Sequence, residues 1–201
     1  MFYETARNDH GLPHDPFHSL VVPRPIGWLS TLGPTGVVNL APYSFFNIVG
    51  TRPHYVMFSS AERKDSQRNA EDTGEFVVNM ATWALREEVN ASSATHGPEV
   101  SEPDLIGLAM TPSRLVRPPR VARAPVALEC TYTKTVGLPG IDGRPHRSSI
   151  VIGLVVGVHI ADEFLVDGLV DVARIRPLAR LGYMDYAAVE SVFAMPRPKK
   201  P

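Results

Sequence analysis

Ile26-Gly27-Trp28-Leu29-Ser30-Thr31-Leu32-Gly33-Pro34-Thr35-Gly36-Val37-Val38-Asn39-Leu40 is the stretch that decides the fold class. Apolar, aromatic and β-branched residues dominate its first part, and the same character resumes at Val37 after a segment holding two glycines. Glycine takes up positive φ without a steric penalty, so Leu32–Gly36 reads as a hairpin loop between the strands Ile26–Thr31 and Val37–Leu40. Four further runs of this kind, bounded by Gly or Pro, follow at His54–Ser60, Phe76–Met80, Val126–Val136 and Ser148–Ile160. Together they predict a mainly β protein whose antiparallel sheet curls or closes into a β-barrel with peripheral helices. Ile150-Val151-Ile152 is apolar on both faces, which predicts a central strand covered on each side, deep in the barrel or at a subunit contact.

Helices are fewer. Asp65–Thr73 follows polar residues and ends at Gly74, a common helix stop. Thr82–Ala91 is a second helix, with Thr82 at its cap, Leu85 and Val89 inward, and Arg86, Glu87 and Glu88 largely outward. Between Ser92 and Pro125 the Pro, Ser and Gly content rises, predicting a long irregular excursion with one helical turn at Pro103–Leu108; loops of that length are often functional. The whole chain, 201 residues with 44% apolar and 20% charged side chains, suits one domain (1–201) rather than two, with an amino-terminal arm (1–20) and a flexible tail (194–201).

Composition excludes several classes of function. A formal net charge of −1 gives no field drawing the chain to nucleic acid or anionic membrane, and the basic tail Arg197, Lys199 and Lys200 is too short to change that. The longest apolar run, Ile150–Val158, is half of what a membrane helix needs, and Met1–His10 lacks a signal-peptide core, so the expected location is cytoplasmic. The lone Cys130 can form neither an intrachain disulfide nor a Cys-rich zinc site, and its strand-like surroundings predict a buried, unreactive thiol. His10, His14 and His18 have the spacing of metal ligands on a helix, but Pro13 and Pro16 break such a helix, so no metal is expected. Glu87-Glu88 and Asp162-Glu163 read as solvated carboxylates, and no serine sits in a nucleophile elbow.

Four segments remain: Arg24–Thr31, Asn39–Asn47, Ser59-Ser60 and Lys64–Asn69, which gather hydroxyl, amide and cationic groups at the ends of successive strands. Lys64-Asp65-Ser66 opens a helix, where free N–H groups, an ammonium and a hydroxyl can hold a phosphate, or where Asp65 and Ser66 can simply act as caps. In this order and spacing the segments resemble the flavin reductase-like family, with high specificity over Pro23–Asn79 and more loosely through Arg117–Arg120, Ala127–Cys130, Val151–Gly153 and Pro177–Gly182. Within it, R-P-I-x-W-x-S-T and K-D-S-x-x-N are similar to the flavoredoxin-type branch.

The resemblance implies the FMN-binding split barrel, a Greek-key antiparallel architecture, in a homodimer with FMN in a groove near the subunit interface. It places Arg24, Ser30 and Thr31 beside the cofactor, the last two towards the ribityl chain or phosphate. Ser44, Phe45 and Asn47 are placed at the polar edge of the flavin ring, Ser59 and Ser60 beneath it, and Lys64, Ser66 and Asn69 on the phosphate. Trp28 and Phe45 could stack on flavin or nicotinamide, although a strand Trp is more often core. His96 and His146 are the candidate catalytic side chains. Ser148 stands where many short-chain relatives carry a His near nicotinamide, Leu154 where the branch often has Glu, and Tyr183 where it often has Gly. The expected function is an NAD(P)H-dependent flavin reductase, with hydride passing through flavin N5 and NADH or NADPH as co-substrate. Loop cations Arg123, Arg144 and Arg147 could favour a phosphorylated dinucleotide. Two alternatives are an electron carrier serving redox-protein partners and a flavoenzyme reducing another small molecule, with specificity set by residues 92–125.

Overall fold

Antiparallel pairing organises the chain, which a computed structural model describes over residues 1–198. In order the elements are α1 (Phe17–Leu20), β1 (Arg24–Pro25), β2 (Gly27–Leu32), β3 (Val38–Tyr43), β4 (Phe46–Thr51), β5 (His54–Ser60), α2 (Asp65–Thr73) and β6 (Glu75–Met80). A 3-10 turn at Trp83–Leu85 runs into α3 (Arg86–Ala91), followed by α4 (Glu102–Leu105), β7 (Met110–Thr111), β8 (Arg120–Val121), β9 (Val126–Pro139) and β10 (Pro145–Ile160). A two-residue pair β11 (Leu165–Val166) and β12 (Leu169–Val170), then α5 (Val172–Ile175), β13 (Leu178–Gly182) and β14 (Asp185–Ala188), complete the described fold. Lys199 and Lys200 of the basic tail, and Pro201, lie outside the described residues.

The main sheet has seven strands in the order β3-β2-β6-β9-β10-β5-β4. Its two edges, β3 and β4, are consecutive in the chain and joined only by Ser44-Phe45, so the sheet must curl until the edges lie side by side. No ladder pairs them, and the barrel expected from the sequence is open along this seam. The groups there are engaged elsewhere: the Phe45 carbonyl accepts the Ser59 N–H at 2.8 Å, and the Tyr43 ring packs on Phe58 with centroids 5.0 Å apart. A second sheet has the order β1-β13-β14, and Leu178 of β13 joins the core around Trp28.

The hairpin β2–β3 forms as its loop chemistry dictates, with Gly36 at φ 86°. β3 runs on to Tyr43, beyond the predicted Leu40, and tolerates Pro42 because an edge strand can forgo a ladder donor. β4 lies where the sequence predicts no strand, in a segment interrupted by Asn47, Gly50 and Pro53. The β9–β10 hairpin is longer at its tip than expected, reaching Pro139 and Pro145. β10 is central, between β9 and β5, but not covered on both faces throughout: Val156 and Val158 in its carboxyl half are exposed in one chain. Helix α2 keeps the predicted bounds, with Gly74 in the left-handed region at φ 77°. The predicted Thr82–Ala91 helix divides into the 3-10 turn and α3, Thr82 makes no side-chain cap, and Leu85 and Val89 are buried as expected. The turn expected at Pro103–Leu108 is α4, capped by the Ser101 hydroxyl.

Because β2 is buried on both faces, its side chains feed two cores. Trp28 joins Leu40, Leu85, Val89 and Val121 on one side, while Leu29 joins Phe58, Ala70, Phe76, Cys130 and Val151 on the other. The second core seats α2 against the sheet.

Candidate functional site

Helix α2 has Lys64 at its amino-terminal cap position and no side-chain cap. Asp65 is turned to Arg68 of the next turn, and the Ser66 hydroxyl accepts from Asn39 Nδ2 at 2.9 Å, so neither plays the capping part the sequence allowed. The first N–H groups of a helix have no intrahelical partner and carry the positive end of its dipole. Here no side chain caps them and Lys64 immediately precedes them, an arrangement suited to phosphate.

This end of α2 opens into a cleft of about 370 Å³ at the seam of the barrel, bounded by β3, the Ser44-Phe45 link, the end of β5 and the segment 92–96. Of the residues singled out in the sequence, Ser44, Phe45, Ser59, Ser60, Lys64, Ser66 and His96 line it. The backbone, rather than the side chains, dictates this gathering: the two-residue link brings Phe45 to Ser59, and β5 delivers Ser59-Ser60 to the start of α2. Burial raises the pKa of Tyr43 in the cleft wall, although hydrogen bonds to the Ser66 and Ser60 hydroxyls oppose the shift.

Ser30, Thr31 and Asn69 do not reach the cleft. Ser30 and Thr31 are wholly buried; Ser30 donates to the Pro119 carbonyl at 2.5 Å and accepts from Asn79 Nδ2 at 3.2 Å. Thr31 Oγ1 accepts from the amides of Asn39, at 3.2 Å, and Asn69, at 3.1 Å. They act one layer behind, because Asn39 holds Thr31 and Ser66 with the same amide. Arg24 opens instead into an adjoining cleft that shares Pro42, Ser44, Phe45 and Ser93 with the first. Asn47 lies on exposed β4, its carboxamide oxygen accepting the Ile48 N–H at 2.8 Å. His146 lies on the exposed start of β10, outside both clefts. Trp28 is core, its indole N–H donating to Ser92 Oγ at 2.8 Å, whereas Phe45 is open to solvent at the cleft. Arg123, Arg144 and Arg147 pair with Glu88, Asp142 and Glu62. Among the described residues no three His, Cys, Asp or Glu side chains converge as metal ligands.

Sequence reasoning singled out the segment Asn39–Asn47 without assigning Asn39 or Tyr43 to the site, and it missed Glu102 as a member of the cleft wall. Glu102 is 6% exposed and its carboxylate accepts the Leu40 N–H at 2.9 Å, tying the excursion to β3. A Glu just after Ser101 looks like an ordinary first-turn acid, so only the fold reveals that partner. A polar network also fixes α2 from behind. Glu71 accepts from Arg63 Nε at 2.6 Å, Gln67 Nε2 at 2.8 Å and Thr135 Oγ1 at 2.7 Å, while Ser149 donates to Gln67. Burial pushes the Glu71 pKa up, but these donors outweigh it and hold the carboxyl below its usual range.

The curled antiparallel sheet thus carries, at its open seam, a polar cleft at the start of a helix. The chain belongs to the flavin reductase like domain family, whose model matches residues 18–176. An uncharacterized protein of Halalkalibacterium halodurans is 36% identical over 89% of this chain and 87% of its own length. Nitrilotriacetate monooxygenase component B from Bacillus cereus superimposes with a TM-score of 0.85 at 29% identity, covering 97% of this chain and 98% of that one. The 2-nitrobenzoate 2-nitroreductase of Pseudomonas fluorescens gives 0.83 at 28%, over 98% and 96%. Flavoredoxin of Desulfovibrio vulgaris shares the fold, with a TM-score of 0.77 at 19% identity over 87% and 91%. The protein is thus a flavin-type oxidoreductase. No helix of the described residues is long and apolar enough to cross a membrane.

Proposed function

We propose that the chain binds FMN in the seam cleft and works as an NAD(P)H-dependent flavin reductase. The observation that carries this is the uncapped start of α2 beside Lys64, because FMN differs from riboflavin by one phosphate and this is where a phosphate would be held. The N–H groups of Ser66 and Gln67 and the Lys64 ammonium would bind it, with Asn39 keeping the Ser66 hydroxyl in place. Ser44 and Phe45, on the link between β3 and β4, would meet the ring, and Ser59 and Ser60 would support it from β5. When bound, flavin supplies the hydride acceptor, so the protein need contribute only position and donors, in keeping with a cleft that has no nucleophile paired to a base. His96, on the excursion that forms the far wall, is the side chain placed to meet a second substrate.

Ser148, in place of a nicotinamide-side His, favours a second reading, an electron carrier that keeps its FMN and exchanges electrons with a redox-protein partner. A homodimer fits the exposed apolar residues Ile48 and Val49 on β4 and Val156 and Val158 on β10, and a cytoplasmic setting fits the lone buried thiol. Light scattering should then give twice the 22.0 kDa of one chain.

Replacing Lys64 by Met tests the reading. A charge-assisted hydrogen bond to phosphate is worth about 1.5–3 kcal/mol, so FMN affinity should fall roughly 10- to 150-fold with riboflavin affinity unchanged. Equal losses for both flavins, or none for FMN, would remove the phosphate from this end of α2. With FMN bound, bleaching by NADH or NADPH supports the reductase, and slow bleaching by both, with fast reduction by a ferredoxin, supports the carrier.

A further inference from the structure

The adjoining cleft, about 410 Å³, has a composition unlike the first. It is lined by Arg24, Arg180 and His18 together with the aromatic residues Phe45, Tyr183 and Tyr186, and by no carboxylate. Arg24 and Arg180 are direct cross-strand partners in the pairing of β1 with β13. Like charges directly opposite one another in a sheet are destabilising. Here every hydrogen-bond partner of the two guanidiniums is a backbone carbonyl: His18, Val21 and Leu181 for Arg24, and Tyr183 for Arg180. Arg24 is only 9% exposed, and its buried Nε–H has no partner. Burial and the Arg180 charge both lower its pKa, the response of a cation lacking a counter-ion.

Aromatic rings lie against both guanidiniums. The Arg180 guanidinium lies 4.4 Å from the centroid of the Tyr186 ring, and that of Arg24 lies 5.8 Å from the Phe45 ring. Tyr183, at the cleft wall, is held at φ 44°, a region strained for a residue with a side chain, where its carbonyl meets Arg180 and its ring packs edge-on against His14. A glycine would relieve the strain but would take the ring away.

We propose that this cleft binds a small aromatic carboxylate, its carboxyl group neutralising the Arg24–Arg180 pair and its ring lying among Phe45, Tyr183 and Tyr186. Guanidinium groups match the planar carboxylate in geometry as well as charge. Because Pro42, Ser44, Phe45 and Ser93 belong to both clefts, such an acid would sit next to whatever occupies the seam. That the acid would serve as a substrate beside the flavin rests on the function proposed above; the binding itself does not.

Calorimetric titration of the full chain, with and without FMN, tests the proposal using benzoate, its neutral isostere benzamide and inorganic phosphate as probes. Benzoate should bind both forms at least tenfold more tightly than benzamide or phosphate. Arg180→Met should weaken benzoate at least tenfold, Arg180→Lys should recover part of the loss, and neither should alter FMN affinity. Equal binding of benzoate and benzamide, an unaffected Arg180→Met, or competition between benzoate and FMN would overturn it. Arg180-dependent phosphate binding tighter than benzoate would overturn it too, assigning the cleft to the phosphoryl group of a nucleotide. If the chain bound benzoate as predicted but not FMN, the flavin reading alone would fall.

Discussion

Glu129 offers the sharpest test of how the excursion over the cleft is held. Its carboxylate, wholly buried on β9, accepts the backbone N–H groups of Arg114 at 2.8 Å, Leu115 at 2.5 Å and Val116 at 3.2 Å, and faces the His159 imidazole of β10. Four donors thus converge on one side chain, pinning the segment that continues to Pro119, whose carbonyl receives Ser30. In Glu129→Gln one carbonyl oxygen must serve donors that two carboxylate oxygens serve now, and the new NH2 group faces donors instead of acceptors. Each donor stranded in the interior costs about 1–3 kcal/mol, and because Arg114 and Leu115 can turn to water, the loss should total about 2–4 kcal/mol. For a chain of this size that lowers Tm by about 4–16 °C. Urea unfolding should show a lower midpoint at an unchanged slope. Burial alone raises the Glu129 pKa, but His159 and the Arg114 and Leu115 N–H groups outweigh it and hold the carboxyl below its ordinary 4.5. The unfolded chain therefore takes up this proton more readily than the native one. The stabilisation is complete above the ordinary value and is lost as pH falls through the lowered one, so the gap between wild type and Glu129→Gln should narrow in acid. A loss below about 0.5 kcal/mol at pH 7, or a gap that widens in acid, would refute this account.

Gly153→Ala would drive a methyl group into the Phe76 ring, which is wholly buried, and overpacking of this kind costs about 1–3 kcal/mol; chemical denaturation measures it, and a neutral result would mean β10 can shift at its bulge. Gly74→Ala places a side chain at φ 77° on the stop of α2, with an expected loss of about 1 kcal/mol by the same measurement. Burial, reinforced by the neighbouring Glu129 charge, pushes the Cys130 thiol up and leaves it inaccessible. A disulfide reagent at pH 8 should therefore label it at the rate of global unfolding, and rapid labelling of native protein would contradict the burial.

What the sequence alone determined were the features whose cause is local. The loop Leu32–Gly36 shows its glycines, Asp65–Thr73 shows its Gly74 stop, and Lys64-Asp65-Ser66 shows a helix start with a cation beside it. The family followed from the order of such segments, and with it the flavin. The missed strand β4 has a local cause too, since Asn47, Gly50 and Pro53 outweigh its apolar residues until β5 supplies a partner. Tertiary structure decided which of the polar groups face the cleft. Ser30 and Thr31 look as available in the sequence as Ser59 and Ser60, yet β2 lies between β3 and β6 with both faces covered, so its hydroxyls are consumed by Asn39, Asn69, Asn79 and Pro119. The same reason applies to Arg24 and Arg180, which nothing in their own segments links. Side-chain direction in a strand alternates, but the partner it meets depends on register between distant parts of the chain, and register is set by the packing of the whole sheet.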